Sequence, residues 1–300
     1  MENKMKYFLY LPVLILGLYL TGCSELETNI EQVESVSIHK EGILNPLSHD
    51  FHGNLIRDNN WDTNQCQQCH GSDFAGGLVD VSCLTCHNQN AGPENCSTCH
   101  GSETSPAPPE DIDGNTSTSS PRVGAHQIHL RGGSLGKRLS CSDCHKVPAS
   151  IHAEGHVDTE LPAEVLINGF LANIVTNDPS TMSYNPGLPL FVPDPAYNPD
   201  NHTCSNTYCH GYFKNGNLDN SPVWTDPNTA ACGTCHGDPS APTLFEKALP
   251  RGEHINVPPP PVGEPCSNCH GGIVDENMKI IDPLRHIDGK LNLFGDDIKF

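Results

Sequence analysis

Apolar positions along this 300-residue chain fall into one long run and many short ones. The long run is Tyr7 to Leu20, preceded by Lys4 and Lys6. It falls short of the roughly 20 residues a spanning helix needs, and its positive start predicts an export leader over residues 1–22. Within the motif-free stretch Leu161 to Phe191, the short runs Val165 to Ile167 and Ala172 to Thr176 predict short strands. Residues 105–121 are rich in Pro, Ser, Thr and Asp and read as a flexible linker. A second Pro-rich break runs from Val257 to Pro261. The pattern predicts mostly irregular coil, with short helices and a few short strands.

Composition sharpens this picture. Gly and Pro number 27 and 26, well above the usual share of about 12% for the two together, and aromatic residues are only 6%. Side chains of this kind make a poor core, and without a further apolar component the chain reads as disordered. Formal charge is −20, and removing Glu2, Lys4 and Lys6 with the leader makes it −21. Nucleic acid, which needs a basic footprint, is excluded as a partner. An acidic surface permits basic redox proteins or metal cations as partners.

The cysteines change the reading most. Six CxxCH motifs end in His70, His87, His100, His145, His236 and His270. Their cysteines are Cys66 and Cys69, Cys83 and Cys86, Cys96 and Cys99, Cys141 and Cys144, Cys232 and Cys235, and Cys266 and Cys269. A seventh, with four intervening residues, is Cys204, Cys209 and His210. CxxCH is the attachment signature of c-type haem. On a helical turn residues three and four apart share a face, so both sulfurs meet the porphyrin vinyls and the His reaches the iron. Disulfides and zinc also use paired cysteines, but neither requires a His directly after the second one. In the variant motif the cysteines are five apart, about 140° around an ideal helix, so its turn must be distorted. Fourteen of the 15 cysteines belong to motifs, which leaves only Cys23. Seven haems in the mature chain supply the core that the side chains lack, as a stack of porphyrins.

Ten histidines lie outside the motifs: His39, His49, His52, His126, His129, His152, His156, His202, His254 and His286. Seven irons with two imidazoles each need seven of them. Methionine cannot take this role widely, because only Met182 and Met278 survive removal of the leader.

Two resemblances add to this. Leu20, Thr21, Gly22 and Cys23 resemble the bacterial lipoprotein signal, which implies cleavage before Cys23 and its acylation. Ser24 in place of Asp implies sorting to the outer membrane. Gly124–Leu130, Cys141–Pro148, Asn206–Gly211, Pro222–Asp226, Cys232–Gly237 and Arg285–Gly289 resemble the multihaem c-type cytochromes with paired CxxxxCH…CxxCH motifs. That family comprises outer-membrane lipoproteins of metal-reducing bacteria. The likeness covers roughly 122–300, and 39–104 is similar to multihaem modules that accompany it. It implies His126, His129, His156 and His286 as distal ligands, with His254 a fifth and His39 and His52 completing seven. His49, His152 and His202 are then spare. Thr159 departs from the pattern, which has Gly there.

The expected layout is a leader (1–22), an acidic tether (23–38), a trihaem module (39–104), the linker (105–121) and a tetrahaem module (122–300). The expected function is electron transfer through seven covalent haems at the cell surface. Partners would be redox proteins or extracellular metal acceptors, with a porin or a filament of copies as candidate assemblies. The alternative is a reductase of a nitrogen or sulfur oxyanion, which needs one haem with an open distal site.

Overall fold

The computed structural model describes residues 38–102, 104–159, 162–177, 187, 189–250, 254 and 265–299. Cys23, the leader, most of the acidic tether, Met182 and the Val257–Pro261 break lie outside the described residues. The chain divides into two units, Met1–Asn59 and Asn60–Phe300.

In the first unit a series of turns leads into helix α1, His52–Asp58. The turns are held by Lys40, whose Nζ meets Asp50 Oδ1 at 3.0 Å. His52 closes them, donating from its backbone N–H and from ring Nδ1 to the Ile43 carbonyl, both at 2.9 Å.

The second unit is mostly coil. Its helices are single turns or little more: α2 Asn64–His70, α3 Cys96–Cys99, α4 His126–Arg131, α5 Leu244–Ala248, α6 Ser267–His270 and α7 Pro283–His286. Local chemistry sets their ends. Asn95 caps α3 by accepting from Ser97 N–H, a Thr243–Glu246 capping box opens α5, and Asp282 caps α7 through Leu284 N–H. Among the described residues there are also three antiparallel strand pairs: β1 Thr176–Asn177 with β2 Leu190–Phe191, β3 Ala196–Asn198 with β4 Thr203–Ser205, and β5 Lys290–Leu293 with β6 Asp296–Lys299. Each stands alone as a two-stranded ribbon, the shortest form of sheet.

The strand expected at Val165–Ile167 does not form. Its main chain bonds instead to the turn beside it, with Leu166 N–H on the Cys144 carbonyl at 2.8 Å and Asn168 N–H on Asp143 at 2.9 Å. In place of a strand over 172–176, a 3₁₀ turn covers Phe170–Asn173 and only β1 follows. These residues pack inward: Leu171, Ile174 and Tyr208 form a small core with Leu139, Phe213 and Ile287 against it.

Side chains bury little else. Apolar groups beside the motifs stay in the open, Leu78 at 87% and Val81 at 58% exposure. No helix among the described residues is long and apolar enough to cross a membrane. The stretch 105–121 lies inside the second unit. Asp111 is buried there, accepting from Asn115 and Ser120, and Trp224 Nε1–H donates to the Pro121 carbonyl at 2.8 Å.

Candidate haem-binding site

Each motif is presented on a turn. α2 carries Cys66, Cys69 and His70; α3 carries Cys96 and Cys99; α6 carries Cys269 and His270. Cys83 and Cys141 open 3₁₀ turns, and Cys232–His236 is a non-helical turn. In several the His N–H bonds back to the first Cys carbonyl: His87 at 2.9 Å, His100 at 3.1 Å, His145 at 2.9 Å and His270 at 2.7 Å. This bond closes the turn that brings two thiols and an imidazole to one side.

The variant motif solves its spacing differently. Cys204 sits on strand β4, paired with Tyr197 of β3, and only Cys209 and His210 lie on a 3₁₀ turn, Tyr208–His210. The distortion required by a five-residue separation is thus a change from strand to helical turn between the two cysteines. Burial pushes the Cys204 thiol up to about 12 and Cys209 to about 11, with neighbouring cysteines adding to both. The fourteen motif cysteines form no disulfides, and no group of three or more metal-ligating side chains converges among the described residues.

The histidines do converge, in twos. Ring centroids lie 6.2 Å apart for His100 and His156, 6.2 Å for His126 and His145, and 6.3 Å for His129 and His210. His236 and His286 are 6.3 Å apart, and His254 and His270 are 6.4 Å apart. A metal–imidazole bond is about 2.0–2.1 Å, so two imidazoles on opposite sides of one ion put their centroids about 6.3 Å apart. Every pair joins one motif His to one non-motif His.

Hydrogen bonds aim the rings. Nδ1–H donates to a main-chain carbonyl in His126 (Val123, 2.8 Å), His129 (Ala125, 2.9 Å), His145 (Glu164, 2.9 Å) and His156 (Ile151, 2.9 Å). The same holds for His236 (Ala248, 3.1 Å), His270 (Asn292, 2.6 Å) and His286 (Leu135, 2.6 Å). Such a bond fixes the tautomer and leaves Nε2 as the ring atom that could ligate a metal. His70 is anchored in the same way on Val81, at 2.9 Å. The buried Nδ1 of His210, by contrast, has no hydrogen-bond partner among the described residues. Burial holds His100, His126, His236 and His286 below the ordinary imidazole range, and takes His210 down to about 4. All are therefore neutral at pH 7, as metal ligation demands.

Residues 203–236 match the family model described as Geobacter CxxxxCH...CXXCH motif. In this segment the chain resembles the multihaem c-type cytochromes. No curated protein and no solved structure matches it. The matched segment contains both the strand-to-turn variant motif and the Cys232–His236 turn, and the match supports covalent haem c binding there and electron transfer in general terms.

Placement of the remaining histidines is equally specific. The three spare histidines stay out of these pairs. His49 lies 3.6 Å from Asp50 on the surface, His202 Nδ1 lies 3.1 Å from the Tyr197 hydroxyl, and His152 Nε2 donates to Thr63 Oγ1 at 3.1 Å. Thr63 in turn donates to Glu94 at 2.6 Å. His39 and His52 belong to the first unit. Two features escaped sequence reasoning. One is the Thr63–Glu94–His152 network, for which no motif exists. The other is Trp224, which lies against both His126 and His129 and whose only signal was its place in a family-like segment.

Proposed function

We propose that the chain is an electron carrier that holds seven covalent haems, each iron between two imidazoles, and works lipid-anchored on the outer face of the cell. The observation that carries this reading is the set of five histidine pairs at 6.2–6.4 Å, each made of one motif and one non-motif residue. His39 and His52 are the further distal ligands that the sequence reading names. Haem iron held in this way changes oxidation state without opening a coordination position to substrate.

The protein's own part is to hold and crowd these sites. α4 offers His126 to His145 and His129 to His210, and its three-residue offset is an axial rise of about 4.5 Å. Two sites are thereby held side by side. Cys144 lies near enough to Cys204 and Cys209 to raise their thiol pKa values, and Cys235 does the same to Cys209. Asn217 donates to the Gly233 and Thr234 carbonyls at 3.0 and 2.8 Å, tying the two motifs of the matched segment together. Exposed apolar residues such as Leu78 and Val81 would be covered by porphyrin, in a core of stacked haems. A redox protein or an extracellular metal acceptor suits the acidic surface, with the chain standing alone, in a porin or in a filament.

Two measurements test this. Intact mass of the mature protein should show seven haems, including one at Cys204 and Cys209, together with acylation at Cys23. Carbon monoxide should bind the reduced protein poorly; ready binding at one or more haems would indicate the open site of a reductase.

A further inference from the structure

We propose that Trp224 is a positioning residue for two haem ligands at once, fixing the ring orientations of both His126 and His129. The proposal rests on the bis-imidazole reading above and adds a residue to which that reading gives no role.

One hydrogen bond does not fix a ring. The Nδ1–H bonds of His126 and His129 set where each Nε2 points, but each imidazole can still pivot about the line from Nδ1 to its carbonyl. Trp224 supplies the second constraint to both. Its indole meets His126 edge-on, with centroids 4.7 Å apart and planes at 84°. It meets His129 nearly face-on, at 5.7 Å and 26°. Both are favoured geometries for neighbouring aromatic rings. A pivot of either imidazole would drive it into the indole or break the contact.

The indole is itself immobilised. Nε1–H donates to the Pro121 carbonyl at 2.8 Å, and the Trp224 backbone N–H donates to the His202 carbonyl at 2.6 Å. Gly124 makes the approach possible: its φ is +41°, and a Cβ there would overlap the indole. The gap that admits the clamp therefore lies two residues ahead of the helix that carries both ligands. An indole that merely filled space would need neither the glycine nor contact with two ligands serving different sites.

The consequence is spectroscopic. His126 and His145 lie 22° from parallel, whereas His129 and His210 cross at 64°. Imidazole donates π density along one direction, so parallel rings split the metal d orbitals more than crossed rings do. Electron paramagnetic resonance of the oxidised protein reads that splitting.

The experiment uses the full-length, haem-loaded protein and its Trp224→Ala, Trp224→Phe and Gly124→Ala variants. Trp224→Ala should shift or broaden the signals of two haems and leave the others in place, at unchanged haem count. Trp224→Phe, which keeps a flat ring, should restore most of the wild-type spectrum. Gly124→Ala, which keeps the indole but drives it away, should reproduce the two-haem change. A wild-type spectrum in Gly124→Ala overturns the proposal, even where Trp224→Ala fails to load haem. Low-spin wild-type protein with unaltered variants overturns the Trp224 role alone. A high-spin wild-type spectrum overturns the bis-imidazole reading as well, so the two failures are distinguishable.

Discussion

His100 faces His156 with ring centroids 6.2 Å apart, from the other side of the 105–121 stretch. The first belongs to the third CxxCH motif and the second follows the fourth, so on the bis-imidazole reading proposed above one site is completed by both sides of the expected linker. The Thr63–Glu94–His152 network makes a second tie across the same stretch. A protease nick within 105–121 should therefore leave one particle under native conditions. Size exclusion of nicked protein should show a single haem-bearing peak, which separates into two fragments only on denaturation. Native separation would place the two sides in independent modules.

Ring geometry divides the five pairs. Three are near parallel, at 22°, 32° and 34°, and two cross steeply, at 64° and 70°. Low-temperature paramagnetic resonance of the oxidised protein should show three rhombic low-spin signals and two of larger anisotropy from these sites. One of the latter comes from His129 and His210. Among the described residues His210 lacks the Nδ1–H bond that His236 and His286 both make and that strengthens an imidazole as a donor, so this haem should be reduced ahead of the one held by that pair.

Legibility in the sequence followed the range of the interactions. Motif turns were readable because a spacing of three or four residues is itself a place on a helical turn. Which His meets which was not, because His129 and His210 or His236 and His286 come together only through the fold. Val165 to Ile167 read as a strand because branched residues suit extended backbone, but the neighbouring turn at Cys144 took its hydrogen bonds. Nor did the variant spacing reveal that Cys204 would sit on a strand.

The small core near the variant motif has a stability cost that can be measured. Leu171 is buried with Ile174 and Tyr208 in a unit with few other buried apolar side chains. Leu171→Ala should cost about 2–5 kcal/mol, the range for a leucine truncated in a packed core. Denaturant titration of haem-loaded protein checks this. An unchanged midpoint would show that porphyrin contacts, and not this cluster, support the region.

Membrane attachment should depend on Cys23, which lies outside the described residues. Cys23→Ser should abolish acylation and release the protein from the outer-membrane fraction, since stable anchoring of this kind needs its acyl chains. A mutant that still sediments with membranes would be held there by protein contacts, as in a porin.

The central claim is that paired imidazoles make this chain a low-potential electron carrier. Spectroelectrochemistry of the full-length protein tests it most directly. Thioether ligation raises haem potential relative to a second imidazole, and the chain has few methionines to supply it. Reduction should therefore spread over a broad negative range with low-spin spectra throughout, and His286→Met should move one haem upward. Titration of most haems at positive potentials, or a high-spin five-coordinate species dominating the oxidised spectrum, would contradict the account.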